Sequence, residues 1–66
     1  MNIFDATMIA EGQYDLAGLD SEVITDDTIL EAWQTLVNTG TVWQLQGWFG
    51  RQAAAMIDAG VIDAAA

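Results

Sequence analysis

The chain has 66 residues, a net charge of −9, and no Cys, His or Lys. Those absences exclude disulfides, thiolate or imidazole metal sites, the commonest general base and a Schiff-base nucleophile. The length allows one domain that buries only about 60% of its unfolded surface, which leaves self-association or a partner protein as its means of support.

In chain order, residues 2–11 predict a short helix that starts at Asn2 and stops at Gly12, with apolar residues scattered around it. This segment lacks a basic n-region and carries Asp5 and Glu11 among its apolar residues, so it does not read as a secretory signal. Residues 12–24, with Gly12, Gly18 and spaced acids, predict a loop. Residues 25–38 predict the best-marked helix. Thr25 suits the N-cap, and Asp26 and Asp27 fall in the first turn, where the helix dipole favours anions. Ile24 and Ile29 take the hydrophobic-staple positions, and Ile29, Leu30, Trp33, Leu36 and Val37 share one face. Gly40 then follows as the left-handed terminator.

Residues 41–59 predict a third helix, which makes an antiparallel hairpin with the second. Thr41-Val42-Trp43-Gln44 fits the capping-box pattern at its start, and Gly60 suits its end, with Val61 set to touch Met56. The residues beyond, 60–66, are expected to fray. The fold class is therefore all-α: a helical hairpin as the stable core, with the acidic segment 1–24 packed less firmly.

Gly47 and Gly50 stand out, because glycine inside a helix costs roughly 1 kcal/mol relative to alanine. At roughly 100° per residue, Val42, Leu45, Phe49, Ala53 and Met56 face the second helix, while Gln44, Arg51 and Asp58 form a polar ridge. Trp43, Gly47, Gly50 and Ala54 gather on one flank, and Trp48 lies on the other. A strip of small residues beside a Trp invites close approach by another backbone. Its occupant is either the first helix or the Tyr14 loop of the same chain, or a second protein. Trp33 and Phe49 read as core. Trp48 is either covered by the chain ends or exposed as an anchor. Arg51 pairs with an acid or lies over a Trp ring. Trp43, Gly47, Trp48, Gly50, Arg51 and Ala54 are the candidate interaction residues, and a protein is the candidate partner.

The composition weighs against other ligands. Eight acids (Asp5, Glu11, Asp15, Asp20, Glu22, Asp26, Asp27, Glu31) precede residue 32 with no base among them. A surface so negative repels phosphate, which counts against direct nucleic-acid binding by the G-x-x-G of GWFG. Asp15, Asp20 and Glu22 do not fit a calcium loop. The charge-poor run 32–52 is too polar to span a membrane. No cofactor, metal or small-molecule substrate is expected.

Residues 36–62, LVNTGTVWQLQGWFGRQAAAMIDAGVI, resemble the C-terminal part of small acidic uncharacterised proteins encoded by tailed bacteriophages. The similarity lies in L-V-x-T-G, then W-x-L-Q-G, an aromatic, G-R, and an apolar end before G-x-I. It covers about 40% of the chain, a share that follows from 27 of the 66 residues. It implies a phage or prophage origin, expression in a bacterial host and a place in the host cytoplasm or the virion. It carries over no catalytic residue, and Trp48 stands at a position where those proteins vary.

Three function classes follow. The first is a non-enzymatic module that binds a host protein. The second is a small part of a virion or its assembly machinery, recognisable as a stoichiometric band in purified particles. The third is an acidic mimic of DNA, weakened by the irregular spacing of its acids. An enzyme ranks last, since only carboxylates, hydroxyls and one Arg are available.

Acids crowded without a base repel one another in the compact state. Thermal melting should therefore show a midpoint at pH 8 that rises with added salt, and at low salt a stability near pH 5 no lower than at pH 8. A salt-independent melting temperature at pH 8 would contradict the repulsion.

Overall fold

The computed structural model describes residues 1–13, 18 and 24–65. Its elements are α1 (Ile3–Glu11), α2 (Asp26–Asn38), a 3-10 turn (Thr41–Gln44) and α3 (Gly47–Asp58), with no strand among the described residues. The fold is a small all-α domain. Most of the expected loop at 12–24, with Tyr14, Asp15, Asp20 and Glu22, lies outside the described residues.

Each end of α1 is set by one local signal. The Asn2 side chain accepts the Asp5 N–H at 2.7 Å, and Gly12 at φ 76° turns the chain out. The Gly12 and Gln13 N–H groups then donate to the Ile9 and Met8 carbonyls, the paired bonds of a Schellman ending. Thr25 caps α2 by accepting the Thr28 N–H at 3.2 Å. At the other end, Gly40 at φ 75° donates to the Val37 carbonyl. Both helices match the sequence expectation.

The core draws on every described segment. Ala6 and Ile9 come from α1, and Ala32, Trp33, Leu36 and Val37 from α2. Val42, Phe49, Ala53 and Ile62 complete it. The most extensive helix packing is between α1 and α2. Ala6 and Ala32, fully buried on those two helices, have side chains small enough to allow near approach. The N-terminal helix is therefore built into the core, not laid loosely against a hairpin.

The expected helix over 41–59 is interrupted. Thr41–Gln44 form the 3-10 turn, Leu45 is extended at φ −85° and ψ −177°, and α3 begins only at Gly47. The capping box is not made either. Gly40 stands at the N-cap of the turn without a side-chain bond, and the Thr41 hydroxyl pairs with that of Thr39 at 2.8 Å. The physical reason lies in Trp43. In a continuous helix Trp43 and Gly50 stand about 10 Å apart along the axis, and side chains lean toward the N-terminus, away from Gly50. The break lets the indole fold back onto Gly50. The apolar face read from the wheel survives, with Val42, Phe49 and Ala53 buried and Leu45 and Met56 packed against the core.

The tail also differs from expectation. Gly60 at φ 76° ends α3 with Gly60 N–H to Ile57 and Val61 N–H to Met56, as the sequence suggested. Beyond it the chain docks instead of fraying. Ile62 is buried, and the Gln34 amide brackets the Asp63 backbone, accepting its N–H at 2.7 Å and donating to its carbonyl at 2.8 Å. Val61, expected to supply the closing apolar contact, is half exposed. Urea denaturation should separate the two neighbours: Ile62→Ala should lose about 2 kcal/mol or more, as for a buried aliphatic, whereas Val61→Ala should stay within about 0.5 kcal/mol. Equal small effects would mean that the tail is not held.

Candidate interaction surface

Two aromatic arrangements flank α3, and the local chain explains each. On one side Trp48 and Phe49 open the helix. Phe49 is buried against Trp33, with ring centroids 5.8 Å apart. Trp48 stacks on Phe49 at 3.9 Å and meets Trp33 edge-on at 6.2 Å. Such offset and edge contacts add to area burial. Trp48 is therefore a lid on the core aromatics, still 39% exposed. This separates it from the other candidate residues.

On the other side, Trp43 rides on the 3-10 turn and lies against Gly50. A Cβ built on Gly50 would stand 3.4 Å from Cε3 and 3.6 Å from Cζ3 of the indole. Gly50 is thus the floor on which the ring rests, while 54% of Trp43 stays open to solvent. Gly47 has a different role. It is the first residue of α3, where the penalty for a helix-interior glycine does not apply, and the Arg51 guanidinium lies beside it, with Nη1 3.1 Å from a Cβ built there. Ala54 is exposed one turn beyond Gly50.

The structure thus brings Trp43 to Gly50 and Arg51 to Gly47 on a flank that continues to exposed Ala54. The described residues that meet Gly50 belong to Trp43, not to α1. The strip is covered in part by the chain's own indole, an arrangement the sequence reading did not include. Tyr14, the other proposed occupant, lies outside the described residues.

Sequence reasoning also missed a second exposed apolar group at the start of α1. Met1 and Ile3 are each 45% exposed and Phe4 58%. The signal was present in the scatter of apolar residues around that helix, which buries Ala6 and Ile9 and leaves others to solvent. No helix of the described residues is long and apolar enough to cross a membrane.

Residues 6–66 match the model of a family described as Domain of unknown function (DUF7417). The chain belongs to that family. The DUF7417 match begins at Ala6, the first core residue of α1, and takes in the turn, the Trp43–Gly50 contact and the docked tail. It leaves out Met1, Ile3 and Phe4. No curated relative and no solved structure matches the chain.

The Trp43 contact predicts opposite outcomes for two substitutions at Gly50. An alanine Cβ would meet the indole at ordinary contact distance and favours the helix, so Gly50→Ala should raise stability by about 0.5–1 kcal/mol in thermal unfolding. Gly50→Leu needs the space that the ring fills and should displace Trp43, altering the near-ultraviolet circular dichroism while helicity persists. Identical near-ultraviolet spectra for the two variants would show that the ring does not rest on Gly50.

Proposed function

We propose that this domain is a non-enzymatic protein–protein interaction module that uses the α3 flank of Trp43, Gly47, Gly50, Arg51 and Ala54 as its contact surface. The observation that carries this reading is the 54% exposure of Trp43, a large aromatic held in one place by Gly50 instead of being buried. An indole left in water forgoes roughly 1.5–3 kcal/mol of burial. Trp and Arg are among the residues that dominate interface energetics, and they do so best when preorganised. Trp48 takes the lesser part of supporting the core aromatics. The resemblance of residues 36–62 to small acidic phage proteins supports a bacterial host as the setting and a host protein as the partner.

The reading is tested by capture from bacterial lysate on tagged protein, with wild type, Trp43→Ala and Gly50→Leu compared by mass spectrometry and sedimentation. A stoichiometric partner, or a self-associated species, should be present with wild type and lost with both variants. Association that survives both substitutions at native helicity would place the contact elsewhere on the molecule.

A further inference from the structure

The segment after α3 is anchored by one buried side chain and one pair of hydrogen bonds. Ile62 is buried, while its neighbours Val61 and Asp63 are exposed. The Gln34 amide accepts the Asp63 N–H at 2.7 Å and donates to the Asp63 carbonyl at 2.8 Å. Among the described residues, every other hydrogen bond joins near neighbours in sequence, the widest being Gln13 to Met8 and Val61 to Met56. Each side of this attachment is complete without the other. On the α3 side, the Gly60 and Val61 N–H groups donate to the Ile57 and Met56 carbonyls, so the helix end is closed from within. Gly60 at φ 76° then turns the chain away. On the α2 side, Gln34 Nε2 also donates to Asn38 Oδ1 at 3.0 Å, one turn along the same helix. The amide is therefore oriented from within α2. Both of its bonds to the segment go to the Asp63 main chain, so the side chain at that position is not read.

We propose that the segment after Gly60 is an internal ligand, a strap that opens about Gly60 while the helices stay packed. Its seat is the Gln34 amide together with the space filled by Ile62. That seat takes an extended peptide that offers an aliphatic side chain followed by a free main-chain N–H and carbonyl. Main-chain hydrogen bonds give attraction that is blind to sequence, and the space for one side chain gives selectivity, as when a peptide adds to a sheet edge. Held on the same chain, the strap acts at an effective concentration of about millimolar and keeps weak peptides out. The seat uses none of the residues of the Trp43 flank, so it stands apart from that reading.

Two measurements on the full chain test the strap. The first is native-state hydrogen exchange of wild type in low urea. The Asp63 amide should be slowed, through an opening that urea hardly accelerates because it exposes little surface, whereas the Leu36 and Val37 amides at the centre of the core should respond steeply. An Asp63 amide that is unprotected, or that follows urea as the core amides do, would overturn the proposal. The second measurement frees the seat with Ile62→Asp, which places a charge where an aliphatic side chain was buried. The probe is the blocked peptide Val-Ile-Asp-Ala, a copy of residues 61–64. It should bind this variant at roughly millimolar concentration and shift the Gln34 side-chain amide resonances. Wild type, with its strap in place, should bind it about ten-fold or more weakly. The same peptide with Asp in place of Ile should not bind, nor should one N-methylated at its Asp, which lacks the N–H that Gln34 accepts. A folded variant that ignores the peptide, equal binding by wild type, or binding that survives N-methylation would each overturn the seat. If Ile62→Asp does not fold, the exchange measurement on wild type decides alone.

Discussion

The break in the chain at Leu45 and Gln46 is the constraint on which the rest of the structure depends. It separates the 3-10 turn from α3 and re-aims both. The turn drives Val42 into the core with no exposed surface, and α3 starts in time to set Phe49 against Trp33. The break costs something locally, because α3 opens at Gln46 with no side-chain cap for its free N–H groups. Burial of Val42 and Phe49, each contributing roughly 1.5–3 kcal/mol, offsets that loss. A single long helix from Thr41 would satisfy more backbone groups. It would also leave Trp43 about 10 Å from Gly50 along its axis.

How much of this was legible depended on whether the deciding interactions were local. The ends of α1 and α2 were readable because Asn2, Gly12, Thr25 and Gly40 act on residues within four positions of themselves. The end of α3 at Gly60 was readable for the same reason. The break was hidden by a sequence that satisfies the helical pattern across it: Thr41 to Gln44 mimics a capping box, and Val42, Leu45, Phe49 and Ala53 keep helical spacing. That spacing survives a 3-10 turn because residues three apart still share a side. Gly47 and Gly50 were the only warning. The docked tail had no local signal at all, since Gln34 and Asp63 stand 29 residues apart.

The interaction surface was legible in membership and not in geometry. The wheel placed Trp43 with Gly47, Gly50 and Ala54, and the structure does set Trp43 on Gly50. It reaches that contact through a bend that the wheel denies. Small residues for helix packing were sought at the two glycines, yet the most extensively packed helix pair is α1 with α2, where Ala6 and Ala32 are fully buried. Ala32 escaped notice because an alanine adds little to an apolar stripe. Trp48 shows the limit of reading a flank without its neighbours. Its place beside Phe49 in sequence becomes a stack at 3.9 Å, with Trp33 reaching its edge from α2.

Charge and apolar exposure explain each other in this domain. A surface that leaves Trp43, Phe4, Ile3, Met1 and Val61 between 45% and 58% open would ordinarily promote association between copies. Ten carboxylates on so small a body oppose that association at long range, where apolar contact has no influence. The protection is selective by sign. An oppositely charged molecule meets no such barrier on its approach. Repulsion between copies and attraction for a cation are the same field acting on two different approaches. A chain with a neutral surface would need some other device to limit contact between copies at the same exposed aromatic, and this one has no Cys with which to tie a cover over it.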